Sequence, residues 1–181
     1  MQVDLYSDAE IVKGCQQNDR KYQEILYRRF ARMMYGICLS YANNRAQAQD
    51  ILHEAFLKIF KGISGYKGEG SLEGWIRRIV THTAIDQLRK DARLGNYLTD
   101  TAEAPEVAIP ETALGQMQAK EILKQVSRLP AGARAIFNLY ALEGYTHREI
   151  ALELDISEGT SRSQYSRARN LLMDWVGKKG Q

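Results

Sequence analysis

The chain is 181 residues long, 44% hydrophobic and 26% charged, with a formal net charge of +3, which fits one large globular domain or two small ones and not a disordered chain. No apolar run reaches the roughly 18 residues that a membrane-spanning helix needs, and Met1 to Glu10 carries acids rather than the basic-then-apolar plan of a signal peptide, so a cytoplasmic protein is expected. With 3 prolines and charges spread along the chain, helices are favoured over short strands.

In chain order, Asp8 is placed to cap a first helix whose apolar face begins with Ala9, Ile11 and Val12. Gly14 to Asp19 reads as a break. Tyr22, Ile25, Leu26, Phe30, Met33 and Met34 then recur at helical spacing, and this helix continues through Ile37, Cys38 and Tyr41. Asn43-Asn44 marks a turn. Residues 46–62 form an amphipathic helix with Ile51, Leu52, Ala55, Phe56, Ile59 and Phe60 on one stripe and Asp50, Glu54, Lys58 and Lys61 off it. Gly62 is expected to end it as a C′ residue. Glycines at 62, 65, 68, 70 and 74 predict an irregular loop. Ser71 then caps a helix over about 72–91, with Trp75, Ile76, Ile79, Val80, Ala84, Ile85 and Leu88 inside and Arg77, Arg78, Arg89 and Lys90 on the other face. Cys15 and Cys38 lack metal-ligand spacing and are expected as small buried thiols. No His/Cys cluster suggests a metal, and no cofactor is expected.

Residues 94–119 contain no lysine or arginine, but do contain Asp100, Glu103, Glu106, Glu111, Pro105 and Pro110. This predicts an extended acidic linker between two domains. A second domain begins near Thr112 with a helix to about Arg128, stopped by Leu129-Pro130. A further helix spans about 131–142 and ends at Gly144. Thr146-His147-Arg148-Glu149 has the spacing of a capping box, Asp155-Ile156 is a turn, and Ser157 caps a last helix that runs to about Trp175.

Residues 146–171 therefore fit a helix-turn-helix. Ile150, Ala151, Leu154 and Ile156 face inward from its first half. On the last helix Ser161, Tyr165, Ala168 and Leu172 form the packing face, so that Arg162, Ser163, Ser166, Arg167 and Asn170 face out, with Gln164 and Arg169 beside them. Short polar side chains among arginines suit base edges and phosphates. A recognition helix presents such residues to the major groove of double-stranded DNA.

Together these stretches resemble a bacterial RNA polymerase sigma factor of the extracytoplasmic-function (ECF) group, over about 8–93 and 113–176. Asp50-Ile51-Leu52-His53-Glu54-Ala55-Phe56-Leu57-Lys58-Ile59-Phe60 resembles the family's polymerase-clamp helix. Trp75-Ile76-Arg77-Arg78-Ile79 through Ala84-Ile85-Asp86-Gln87-Leu88-Arg89 resembles the helix that reads the −10 element. Ser157-Glu158-Gly159-Thr160 with Ser166-Arg167-Ala168-Arg169 resembles the −35 recognition helix.

The resemblance implies an all-α fold of two small helical domains, 1–93 and 113–181, joined by the acidic linker 94–112, the C-terminal one a winged-helix-like four-helix domain. It implies a transcription initiation factor without enzymatic activity. Its partners would be core RNA polymerase (β′ clamp helices and β flap), promoter DNA and an anti-sigma factor. Asp50, His53, Glu54, Phe56 and Lys58 would bind the core. Tyr66, Lys67, Ser71, Trp75, Arg78, His82, Asp86 and Arg89 would bind −10 DNA, and Thr160, Arg162, Ser163, Gln164, Ser166 and Arg167 would bind −35 DNA. His53, His82 and Ser161 stand where the family usually has glutamine, asparagine and valine; Ser161 is expected to weaken the inner core.

Two other readings use the same residues. Asp86 with Glu73 or His82 could act as an acid–base pair, although no nucleophile motif, P-loop or metal spacing accompanies them. A stand-alone repressor or activator with a helical sensor domain would grip its operator without polymerase, usually as a dimer on paired half-sites.

Overall fold

The computed structural model of the chain describes residues 5–93 and 125–177. They divide into two compact units, one of 5–38 with 45–84, the other of 39–44 with 85–93 and 125–177. Among the described residues all regular structure is helical, as expected. The linker at 94–112 and most of the helix expected from Thr112 lie outside them.

Helix α1 is Asp8–Gln16. Its cap is Ser7, not Asp8. Ser7 has extended backbone and Glu10 three residues on, so its hydroxyl accepts the Glu10 N–H at 3.3 Å while the Glu10 carboxylate accepts the Ser7 N–H at 2.8 Å. Asp8 is left to pair with Arg29 at 2.9 Å. Gly14 does not break the helix either. Its missing side chain admits the Tyr22 ring, since a Cβ there would lie 2.1 Å from Tyr22 Cγ. The break falls at 17–19, where Asn18 turns left-handed at φ 58°, a conformation asparagine tolerates better than most residues.

Helices α2 (Arg20–Tyr41) and α3 (Arg45–Gly62) follow. Leu26, Phe30, Met34 and Cys38 are buried at four-residue steps on α2 with Ile25 beside them, and Ala48, Ile51, Leu52, Ala55, Phe56 and Ile59 are buried on α3. Met33 falls off this stripe and is 42% exposed. Gly62 remains right-handed, at φ −87°, because the chain tightens directly into a 3₁₀ turn over Ile63–Gly65. The left-handed glycines of the loop are Gly68 and Gly70. Helix α4 is Leu72–Arg93; Leu72, Ile76, Val80 and Ala84 complete the first core. Cys15 and Cys38 are buried free thiols, their pKa values pushed up to about 11 and about 12 mainly by burial.

In the second unit, helix α5 (Ala131–Phe137) widens into a π turn over Asn138–Leu142, and Gly144 takes φ 77°. Helix α6 (His147–Leu154) and helix α7 (Glu158–Gly177) form the expected helix-turn-helix pair. Val126, Leu129, Ala133 and Ala168 are its apolar centre, with Phe137, Leu171, Leu172 and Trp175 packed around them. Arg134 is fully buried: it donates to the carbonyls of Ser127 at 3.1 Å and Ala42 at 2.9 Å, and desolvation pushes its pKa down to about 10. Asn138 donates to the Ser40 carbonyl at 2.8 Å.

Candidate nucleic-acid interface

The helix-turn-helix is fixed at both helix starts and at its turn. Thr146 accepts the Glu149 N–H at 3.2 Å and Glu149 accepts the Thr146 N–H at 2.8 Å, completing the predicted capping box. The Thr146 N–H and the Thr146 hydroxyl, which donates to the same carboxylate at 2.7 Å, hold the Glu149 carboxyl below its usual pKa. Asp155 makes the turn in the left-handed region at φ 55°, its N–H donated to the Ala151 carbonyl. Ser157 accepts the Thr160 N–H at 2.9 Å at the start of α7. Three local devices therefore set the angle between the two helices before any packing is counted.

Helix α7 divides into two faces, as its spacing predicts. Ser161 and Ala168 are fully buried, and Tyr165 and Leu172 half-buried. Arg162, Ser163, Ser166, Arg167, Arg169 and Asn170 are exposed; Thr160 and Gln164 are half-buried at the edge. Arg162 pairs with Glu158 one turn earlier. The Ser163 hydroxyl donates to the Thr160 carbonyl at 3.0 Å, which leaves its lone pairs open outward.

Ser161, expected to weaken the inner core, is not left there without a hydrogen-bond partner. A buried hydroxyl without a partner costs about 1–3 kcal/mol, but Ser161 Oγ lies 2.9 Å from His147 Nδ1. The imidazole stacks on Tyr140 (centroids 4.3 Å, planes 17° apart) and meets Tyr165 edge-on at 5.6 Å. Desolvation and the Arg162 cation depress the His147 pKa, with Glu158 acting the other way. The sequence reading placed His147 only within the capping-box stretch. What the sequence offered was its position directly after the cap Thr146 and a serine on an otherwise apolar face of the next helix, without the contact that joins them.

In the first unit, Asp50 and His53 are exposed on α3, and Glu54 pairs with Lys58 at 3.1 Å. Phe56 is not on that surface. It is 3% exposed and packs edge-on against Tyr27 at 4.7 Å, because 56 falls on the core stripe with 52 and 59. Leu57, which sequence reasoning passed over, is 48% exposed and shares the face of Asp50, His53 and Glu54 at helical spacing.

The glycine-rich loop has a defined shape. The Tyr66 hydroxyl donates to the Gly70 carbonyl at 3.0 Å, and its ring lies 5.1 Å from that of Trp75. Ser71 accepts the Gly74 N–H at 3.0 Å and so begins α4. Lys67 and Arg78 are exposed, His82 half-buried. Asp86 and Arg89 group with the second unit, where Arg89 pairs with Glu153 at 2.8 Å and Asp86 at 3.4 Å. Among the described residues no cluster of His, Cys, Asp and Glu could hold a metal, and no helix is long and apolar enough to cross a membrane.

Two family profiles match the chain, Sigma-70 region 2 over residues 26–94 and Sigma-70, region 4 over 119–172. The chain belongs to the ECF group of RNA polymerase sigma factors. The chain is 24% identical to the RNA polymerase sigma-H factor of Pseudomonas aeruginosa, with 91% of each covered. It is 27% identical to the ECF RNA polymerase sigma-E factor of Haemophilus influenzae, over 92% of this chain and 93% of that one. In fold it is similar to the sigma factor RpoE solved in complex with the anti-sigma factor NepR from Bartonella quintana, with a TM-score of 0.53 and 20% identity over 85% of this chain and 96% of that one. A sigma factor binds RNA polymerase and serves transcription initiation without catalysing a reaction itself, so neither the acid–base reading nor the stand-alone regulator describes this chain.

Proposed function

We propose that this sigma factor directs polymerase to promoters bearing a −35 and a −10 element, with residues 113–181 reading the first, residues 1–93 the second, and the acidic stretch 94–112 spanning between them. The observation that carries this reading is the outward row Arg162, Ser163, Ser166 and Arg167 on a helix whose opposite face is buried. Arginine grips guanine bidentately or holds phosphate, and serine reaches either. Thr160 and Gln164, at the edge of the row, complete the −35 surface.

The Tyr66–Trp75 loop, with Lys67, Ser71, Arg78, His82, Asp86 and Arg89, receives an unpaired −10 base and holds the melted strand. Aromatic rings and cations on a glycine-shaped loop suit stacking and phosphate contact. Melting is then stabilised by binding, and no ATP is implied. Asp50, His53, Glu54 and Lys58 dock on the β′ clamp helices, with Phe56 supporting them from beneath, and the C-terminal domain sits on the β flap. The relative solved with NepR supports an anti-sigma factor as a further partner. Run-off transcription with core polymerase on genomic fragments, with start sites mapped, tests the whole reading. Defined starts preceded by two shared sequence elements are expected; no start on any fragment overturns it.

A further inference from the structure

We infer that His147 is a positioning residue for promoter reading: through its hydrogen bond to Ser161 it sets where α7 presents Arg162 and Ser163 to DNA. This rests on the −35 reading proposed above and adds to it a residue outside the recognition helix.

The geometry is specific. Ser161 is fully buried and immediately precedes Arg162. Its Oγ lies 2.9 Å from His147 Nδ1, so the first turn of α7 is tied to the first residue of α6. The imidazole is itself held on two sides, stacked on Tyr140 of the π turn and edge-on to Tyr165, one turn beyond Ser161. Tyr140 and Tyr165 also contact each other, at 4.5 Å. Four side chains from three elements thus meet beneath the outward row, and a side-chain hydrogen bond at Ser161 ties α6 to α7 there.

An apolar contact here would fill space but leave rotation about the α7 axis soft, because dispersion is non-directional. A hydrogen bond with a preferred angle resists that rotation. Burial and the nearby Arg162 charge lower its pKa against the opposing pull of Glu158, which favours the neutral imidazole with its one donor and one acceptor. Rotating α7 by a fraction of a turn would move the Arg162 and Ser163 side chains across the groove floor. Base discrimination depends on their register, whereas phosphate contact is more tolerant of it.

The test uses full-length protein with core polymerase on a promoter mapped by run-off, in three forms: intact, with the −35 element scrambled, and with the −10 region pre-melted and no −35 element. For H147A and S161A, −35-dependent initiation should fall about threefold to tenfold, the scale of one hydrogen bond. Selection from a library randomised at −35 should return a broader base preference, while the pre-melted template is used as by wild type. H147N places an amide near the position of Nδ1 and should restore both rate and preference; H147Q, whose amide stands near Nε2, should not. Unchanged −35 discrimination in H147A and S161A overturns the proposal, as does an equal loss on all three templates, which would mark a purely structural role. If wild-type protein itself ignores scrambling of the −35 element, the reading of that element fails instead.

Discussion

At the scale of single residues, the most direct test falls on Arg167, which is exposed on the outward face of α7. Arg167→Ala is expected to cost about 1–3 kcal/mol of binding and relax preference at one −35 position; footprinting at several salt concentrations checks this, and a uniform loss across sequences would make Arg167 a phosphate contact. Gly14 supplies a stability test. Alanine there would drive a methyl into Cβ and Cγ of Tyr22, at 2.6 and 2.1 Å, and these atoms cannot swing aside as a side-chain tip does. Gly14→Ala is expected to destabilise the first unit by about 1–3 kcal/mol, in the range of overpacking, read as a lower denaturation midpoint with unchanged slope. The sequence placed Gly14 at a helix break because glycine is ordinarily punctuation. What it could not show was the aromatic ring arriving from the next helix. The same limit hid His147: a partner fourteen residues away becomes visible only when two helices are packed.

At the scale of elements, local chemistry was far more legible. The Thr146/Glu149 capping box and the Ser157 and Ser71 caps rest on contacts within four residues, and the two faces of α7 follow from helical spacing. Where elements were misjudged, the errors were local competitions. Ser7 outcompeted Asp8 as cap because Ser7, not Asp8, has a glutamate three residues on. Gly62 stayed right-handed because a 3₁₀ turn followed it. Thr146→Ala should lower stability by about 1 kcal/mol, and thermal denaturation of the full chain measures it. The pH sense is fixed by Glu149, whose pKa is held down by its bonds to Thr146. Its contribution is complete above the ordinary carboxylate range and is lost as the pH falls through the lowered folded value. The difference between wild type and Thr146→Ala should therefore shrink in acid.

At the scale of the whole molecule, the family was legible because three motifs of different chemistry stand in a fixed order, which composition alone could not supply. Burial decides among the residues that such a resemblance carries over. Phe56 is part of the expected core-binding stretch, yet it lies inside, and exposed Leu57 takes its place on the surface. Charge at that surface gives the prediction. Glu54 is paired with Lys58 at 3.1 Å, both side chains more than a third exposed, and such a pair adds little to stability. Glu54→Lys should leave the fold intact by circular dichroism and weaken association with core polymerase. Unaltered co-elution with core would contradict the clamp assignment.

The shape of the glycine-rich loop has a kinetic side. Gly68 and Gly70 already occupy their left-handed conformations, and the tie from the Tyr66 hydroxyl to Gly70 spans them. Ordering a chain segment at the moment of binding subtracts from affinity and slows productive encounters. On the −10 reading proposed above, a loop already shaped in the free fold would spare that cost at base capture and leave more of the binding free energy to hold the strands apart.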